Sequence, residues 1–274
     1  MVSFIEQDPQ VPPVLAQVAG DPSRFEGVQV LGVDEHIWHY RDPRRRGPKE
    51  LTGMVDLTRG PHRTARLLDL VPGRSGSAYR DWLDERGEAF RKRVEIATLD
   101  PFQGCKNAID DQLEDAICAC WTPSTSSTSP ALRSMTFAAE SSRRRSATEA
   151  VVAGDPNNEV TLAWHCYQKL RSVYHSRAKQ RRRIVGEILG SSTNCPIPEI
   201  DRLGRTRLRW RTATLAYFDT DGASNRPTEA VNEVTETMRR VARCFRNFEN
   251  YRLRALLAAG GHRPWRKTPT HALL

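Results

Sequence analysis

The chain has 274 residues, with 42 Lys or Arg against 33 Asp or Glu, a formal net charge of +9 and a pI of about 9.6. This length allows one large domain or two small ones, and the charge favours a polyanionic partner, with nucleic acid the first candidate. No apolar run approaches the roughly 20 residues of a bilayer span, and the first residues lack a signal-peptide core. The sequence therefore predicts a soluble cytoplasmic protein with no membrane partner.

The element around which the chain is organised is a predicted strand over residues 28–36, which follows a Pro-containing lead-in over residues 1–24. Both faces of this strand carry apolar side chains, Val28 and Val30 on one and Leu31 and Val33 on the other. This pattern is typical of a central strand that is covered on both sides. In such sheets ligands gather where strands end at the carboxyl edge, so Asp34 is a candidate metal ligand. Alternatively, Asp34 caps the following turn.

Two further strands, a helix, a fourth strand and a second helix are predicted next. In chain order they cover Leu51–Thr58, Ala65–Val71, Ser77–Arg93, Val94–Leu99 and Cys105–Ala116, after a basic turn at Arg41–Lys49. The first helix is indicated by an apolar stripe of Tyr79, Trp82, Leu83 and Phe90. The three strands that come in succession are expected to be antiparallel.

The fourth strand ends at a second acid, Asp100, which is followed by Pro101. A right-handed crossover through the preceding helix would place this strand parallel to the first strand, so that Asp34 and Asp100 emerge at the same sheet edge. This order is the ribonuclease-H-like arrangement, in which a third acid comes from a later helix. The alternative for Asp100 is an ordinary Asp-Pro turn.

Residues 118–155 are rich in Ser, Thr, Arg and Ala and have no period of 2 or 3.6. One interpretation is a disordered linker. The other is a frameshift, because GC-rich synonymous codons for Trp121–Ser127, read one base earlier, spell Leu-Asp-Ala-Phe-His-Val-Val. The six cysteines are expected to be free thiols; a zinc site that joins Cys118 and Cys120 to His165 and Cys166 is an alternative with a poor signature.

The second half of the chain is predicted to be helical and basic. One helix covers Glu159–Leu189 and carries the run Lys179–Arg183. Another covers Ile200–Phe218 and carries Arg202, Arg205, Arg207, Arg209 and Arg211. Such a charge run is either a solvated face or a phosphate-contacting surface, and its repetition over two helices favours the second.

A long last helix is predicted to begin after the Asp221–Gly222 turn and to reach about Ala258. Its apolar stripe runs through Val231, Val234, Met238 and Val241. Glu229 projects from the opposite side of the first turn, where it either belongs to a site or complements the helix dipole. Arg residues with interleaved aromatic side chains continue the basic surface.

Three groups of residues resemble the DDE transposases of bacterial insertion sequences, in particular the ISL-three group. They are Leu31–His36, Leu99–Phe102 with Ala108, and Ser224–Ala230 with Phe245–Arg254. The resemblance covers roughly residues 20–117 and 159–260. It implies an α/β fold: a ribonuclease-H-like mixed sheet, flanked by helices and interrupted by a reduced helical insertion. It also implies that Asp34, Asp100 and Glu229 are the catalytic, metal-binding triad.

The sequence departs from this family at three places. The chain starts after the zinc-ribbon and helix-turn-helix region of the family, much of the insertion is missing between Asp155 and Glu159, and Trp121–Ser127 replaces an Asp-x-Phe-His strand. The second acid is therefore either Asp100 or an Asp of the lost strand. We expect a lead-in (1–24), a first core part (25–117), a degenerate segment (118–158), a basic insertion remnant (159–215), a second core part (216–260) and a tail (261–274).

Three carboxylates at one edge repel one another, and two divalent ions about 3.5–4 Å apart would resolve this repulsion. Oxygen ligands favour Mg²⁺ or Mn²⁺. The expected function is metal-dependent cleavage and strand transfer of an insertion sequence. The protein is expected to be a degraded, nucleoid-associated copy that acts on transposon ends and target DNA, and to be a homo-oligomer when active. The alternatives are an inactive remnant that only binds DNA and a small nuclease without strand transfer. The expected phosphate contacts are Arg181, Arg182, Arg183, Arg207, Arg209, Arg240, Arg246 and Arg252.

Overall fold

A computed structural model describes residues 16–17, 19–37, 49–60, 64–120, 158–191, 195–242, 245 and 247–261. They belong to two compact units, Met1–Ala116 with Pro227–Leu274, and Ile117–Arg226. Most of the predicted lead-in, the basic turn at 41–48, the frameshift hypothesis for Trp121–Ser127 and nearly all of the predicted tail lie outside the described residues.

The first unit is an α/β structure whose elements begin with a short 3₁₀ helix at Pro22–Phe25. Its strands are β1 (Val30–Ile37), β2 (Glu50–Asp56), β3 (Arg66–Pro72) and β4 (Ile96–Leu99). Its helices are α1 (Gly76–Arg86), α2 (Glu88–Arg91), α3 (Gln103–Gln112), α8 (Arg226–Val241, which starts at the unit boundary) and α9 (Phe248–Ala259).

The strands of this unit lie in the order β3-β2-β1-β4, which makes β1 central, as its pattern predicts. β1 pairs with β2 and β2 with β3 in antiparallel orientation, whereas β1 and β4 are parallel. The predicted strand orientations are therefore confirmed. β1 begins two residues later and ends one residue later than predicted, since its pairing with β2 continues to Ile37. Its ladder with β4 ends earlier, at Val33 and Leu99.

The helices of the first unit bury two sets of apolar side chains. On α1 and α3 these are Tyr79, Trp82, Leu83, Cys105, Ala108 and Ile109. A second cluster joins β2 and β3 to α8 and α9 through Leu51, Val55, Leu67, Leu70, Val231, Tyr251 and Leu256. Burial of these side chains is the main stabilising contribution to this unit.

Several predicted helices are divided in the structure. The helix expected over 77–93 ends before Gly87, whose φ of 77° lies outside the helical region. The one expected over 226–258 is two helices, because Asn247 has an extended backbone and caps α9 with its side chain. The predicted apolar stripe of α8 is also partly wrong, since Val234 and Val241 are exposed and Thr228 and Thr235 are buried.

In its described residues, 117–120, 158–191 and 195–226, the second unit contains the short strand β5 (Ile117–Ala119) and four helices. These are α4 (Glu159–His175), α5 (Ala178–Ser191), α6 (Pro198–Arg209) and α7 (Arg211–Asp219). The predicted helix over 159–189 ends at the extended Ser176, and the one over 200–218 is interrupted at Trp210, with φ −96° and ψ 21°. Val173, Val185 and Leu189 form a buried cluster.

Cys118, Cys120, His165 and Cys166 are all described, and no group of three or more such ligands in this part of the chain is arranged to hold a metal ion, so the zinc alternative is wrong. A separate finding concerns membranes: none of the described helices is long and apolar enough to cross a bilayer.

Candidate active site

The site is built on one face of β1, where α8 approaches the strand very closely at Gly32. A Cβ atom at Gly32 would lie only 2.3 Å from Oγ1 of Thr228 and 2.8 Å from Cδ1 of Leu57. Any side chain at this position would push α8 away from the sheet. Glycine at this point of the strand therefore lets the helix lie directly over the next residue of the same face, Asp34.

The carboxylate of Asp34 is fixed by hydrogen bonds to both of its oxygens. The backbone N–H of Glu35 donates to Oδ1 at 2.8 Å, and Nδ2 of Asn232, on α8, donates to Oδ2 at 2.8 Å. Across the ladder Asp34 pairs with Gly53, where an added Cβ would lie 3.7 Å from Oδ1 of Asn232. This is an ordinary van der Waals distance, so the Asn232 side chain packs directly over position 53.

Asp100 is placed beside Asp34 by the register of the parallel pair. Val33 is opposite Leu99 at the end of the ladder, so Asp34 and Asp100 each come one residue later on neighbouring strands. Asp100 thus lies just past the end of β4, and its negative charge acts on the Asp34 carboxyl. That the two acids share a metal site stays a prediction.

The charges of this edge act on Asp34. Burial, the largest cause, and the negative charges of Asp100 and Glu229 together raise the pKa of Asp34 to about 7, against the lowering effect of the Glu35 N–H. Glu229 and Asn232 are three residues apart on α8 and therefore lie on one helix face. The charges of Asp100 and Glu229 thus both reach the Asp34 carboxyl.

A guanidinium borders the carboxylates at the end of β1. Arg74 forms an ion pair with Glu35, is 3.9 Å from Glu50, and lies over the ring of Phe102 with its Cζ 5.5 Å from the ring centroid. Its side chain remains 46% exposed. Burial, with the charges of Glu35 and Asp34, raises the pKa of the Cys105 thiol to about 12, so this thiol stays protonated at neutral pH.

His36 follows on the same face of β1 and serves as a packing residue. It is buried, shares a hydrogen bond with the Tyr251 hydroxyl, and stacks on that ring with centroids 5.7 Å apart and an interplanar angle of 6°. Burial lowers the pKa of His36 to about 4, which keeps the imidazole neutral.

The donor set of this edge fits a hard divalent cation in its chemistry. Carboxylate oxygens are the ligands of Mg²⁺ and Mn²⁺, and a cation would relieve the repulsion that raises the pKa of Asp34. As the described side chains stand, however, no three His, Cys, Asp or Glu residues are arranged to hold a metal ion. The acid side chains would have to move closer together to bind an ion.

Most arginines that the sequence assigns to phosphate contacts have other partners in the structure. Ion pairs join Arg182 to Asp219, Arg183 to Glu187, Arg240 to Glu236, and Arg252 to the buried Asp69. The first three pairs lie at the surface and contribute little to stability. The fourth has a structural role, since Arg252 Nε lies 2.6 Å from Asp69 Oδ1 and Trp82 Nε1 donates to Oδ2 at 3.1 Å.

The other predicted contacts differ in exposure. Arg209 is exposed, Arg207 is buried, and Nε of Arg181 donates to the Ser176 carbonyl at 2.7 Å. Arg246 lies outside the described residues. The surface that is free to meet a phosphate chain is therefore smaller than the sequence pattern indicates.

Sequence reasoning missed Gly32, Asn232 and Arg74. Two signals pointed to Gly32 and Asn232: a glycine two residues before the strand acid, and an amide three residues after Glu229. Both signals can be interpreted only once α8 is known to pack on β1.

Comparison with known proteins gives one finding. The family model for DDE transposases of the ISL-three group, described as "Transposase", matches residues 31–120 and 132–255, well over half of the chain. Both matched segments contribute to the carboxylate edge. A comparison with curated proteins finds no match.

Proposed function

This chain belongs to the DDE transposases of the ISL-three group, and on that premise we propose that it cleaves DNA strands at the ends of an insertion sequence and joins them to target DNA. The proposed catalytic residues are Asp34, Asp100 and Glu229. The observation that carries this proposal is the perturbed carboxyl of Asp34, whose pKa of about 7 reflects burial and the charges of the other two acids. Groups with strongly perturbed pKa values cluster at functional sites.

Asp34, Asp100 and Glu229 would hold Mg²⁺ or Mn²⁺. When bound, a pair of such ions supplies activation of a water or 3′-hydroxyl nucleophile and stabilisation of the leaving oxygen in a phosphodiester displacement. No covalent bond between protein and DNA is required by this chemistry.

The chain's own residues position the acids. Asn232 donates to Asp34 Oδ2 and thereby directs the remaining lone pairs of Asp34 to the edge that it shares with Asp100. The Asn232 Oδ1 atom is buried and has no hydrogen-bond partner among the described residues. A buried amide oxygen without a partner is costly, which favours a ligand, water or ion at this point when the site is in use.

Arg74 would contribute to DNA binding at the same edge. Its exposed guanidinium is held by Glu35 and the ring of Phe102, and a forked donor in this position matches the oxygens of a phosphate. We propose that Arg74 exchanges part of its contact with Glu35 for a backbone phosphate of bound DNA.

A second candidate is a degraded transposase that binds DNA without cutting it. The observation that favours it is that the described acids, as they stand, form no group able to hold a metal ion. Basic helices would then hold phosphates, and binding would weaken steeply with salt. We propose for either case that the protein meets transposon ends and target DNA at the nucleoid, and that it is a homo-oligomer when active.

The two candidates are separated by a nicking assay on supercoiled DNA with Mg²⁺ or Mn²⁺. The test variant is Asp34→Asn with Glu229→Gln, and the control, Asp110→Asn with Glu114→Gln, removes two exposed carboxylates elsewhere. Nicking that is lost in the test variant and kept in the control supports the transposase. Nicking that survives in the test variant contradicts it, and salt-sensitive binding without nicking in the parent chain supports the second candidate.

A further inference from the structure

Two thiols meet in the second unit, far along the chain from the proposed acids. Cys166, on α4, and Cys195, just before α6, share a side-chain hydrogen bond. Both cysteines are free and half-buried. Each thiol is thus in contact with the other and partly accessible from solvent.

The surroundings hold this pair in place. Ala163 and Ile200 form a buried cluster, and partly buried apolar side chains pack against it together with both cysteines: Tyr167, Leu170 and Ile197. Burial raises the pKa of the Cys166 thiol, and the proximity of Cys195 raises it further. Packing against the same cluster thus already brings the two thiols together.

The segment between the two cysteines contains the basic helix α5. This helix packs on α4 through Val173, Val185 and Leu189, and its outer side carries Arg182 and Arg183. A covalent bond between Cys166 and Cys195 would close a loop around α5 and tie both of its ends to α4.

We propose that Cys166 and Cys195 form a reversible disulfide, a covalent modification site that restrains α5, with a low-molecular-weight disulfide as the oxidising co-reactant. One protein thiolate attacks the small disulfide, forms a mixed disulfide and releases one small thiolate. The second protein thiolate then attacks the protein sulfur of the mixed disulfide and releases the second small thiolate. The protein loses two electrons and two protons, and both small thiolates take up the protons.

The experiment exposes the full chain to oxidised glutathione and then maps peptides by mass spectrometry without reduction. We expect a cross-linked peptide that joins Cys166 to Cys195, its disappearance on addition of dithiothreitol, and a rise of several degrees in the melting temperature of the oxidised chain. The variants Cys166→Ser and Cys195→Ser should each abolish the cross-link, and Cys118→Ser, which removes another half-buried thiol, should keep it.

Three results would overturn the proposal. They are a stable glutathione adduct on either cysteine, a cross-link of Cys166 to a different cysteine, and full alkylation of both thiols after exposure to the oxidant. Because the readout is the chemical state of the sulfur atoms, it is independent of whether the chain cuts DNA.

Discussion

Replacement of Gly32 by alanine tests the close approach of α8 to β1. The new methyl group would lie 2.3 Å from Thr228 Oγ1, whereas ordinary contacts begin at 3.4 Å, so the two must separate by about 1 Å. The other close atom, Leu57 Cδ1 at 2.8 Å, ends a flexible side chain and can move. Thr228 is buried within α8, so the helix itself has to shift. We expect a loss of about 1–3 kcal/mol in the free energy of unfolding.

The shift should also reach the site. Asn232 lies one helical turn after Thr228, and its 2.8 Å hydrogen bond to Asp34 would lengthen as the helix moves out. In a urea titration followed by circular dichroism, Gly32→Ala should therefore unfold earlier than the parent chain. Nicking measured well below the transition should fall by more than the loss of folded protein explains.

Two other glycines provide matched controls. The closest atom to a new methyl group in Gly53→Ala is the end of the Leu70 side chain at 3.3 Å, and Asn232 Oδ1 and the Asp34 carbonyl lie at an ordinary contact distance of 3.7 Å. Gly186→Ala, within α5, meets no atom within 4 Å. We expect the first to change stability by less than about 1 kcal/mol and the second to stabilise α5 by about 0.5–1 kcal/mol.

A double variant isolates the contact. The Thr228 hydroxyl is buried without a hydrogen-bond partner in the described part of the chain, so Thr228→Ala gives up no such bond there and removes the colliding oxygen. Gly32→Ala should be much less destabilising in that background, with a coupling of about 1 kcal/mol or more. Equal effects of Gly32→Ala in both backgrounds would refute the reasoning.

Three further predictions follow from buried and exposed charges. His36 takes up a proton near a pKa of about 4 in the folded chain and near 6.5 in the unfolded chain, so it lowers the free energy of unfolding as pH falls from 6.5 to 4. In urea titrations the stability of His36→Phe relative to the parent chain should therefore rise by up to about 3 kcal/mol on acidification. A difference that does not change with pH would contradict this. Asp69→Ala should lose about 3 kcal/mol in the same assay because it removes the buried partner of Arg252 and leaves Trp82 Nε1 buried without its acceptor. Glu249→Ala removes the exposed partner of Arg252 and should lose less than about 1 kcal/mol. In salt titrations of DNA binding, Arg209→Ala should reduce the slope of log K against log salt by about 1, and an unchanged slope would remove Arg209 from the proposed phosphate surface.

The sheet of the first unit was predictable because its strands carry strong apolar patterns. Short apolar runs located β1 to β4, and the handedness of crossover connections gave the parallel pairing of β1 with β4. The edge shared by Asp34 and Asp100 follows from that pairing alone. Local patterns were sufficient here because each strand lies within a short stretch of chain.

The buried face of α8 was harder to predict because it is partly polar. Thr228 and Thr235 are buried where the sequence pattern places solvent, and Val234 is 45% exposed where the pattern places the core. Where α8 packs on a strand that carries glycine and aspartate, small polar side chains fit better than large apolar ones. Hydrophobic periodicity in the helix sequence cannot predict this. Asp69 could have predicted the ion pair with Arg252. An acid between two leucines of a buried strand needs a partner of opposite charge, and Arg252 is that partner.

The position of α8 and α9 in the chain has a consequence for biosynthesis. The ribosome makes β1, β2 and β3 early, but the helices that cover Leu51, Val55 and Leu67 follow only after the whole second unit. Until then the nascent sheet presents a bare apolar face, which is a hazard for aggregation. A product of translation that stopped before residue 226 would thus lack both Glu229 and the helices that cover this face of the sheet.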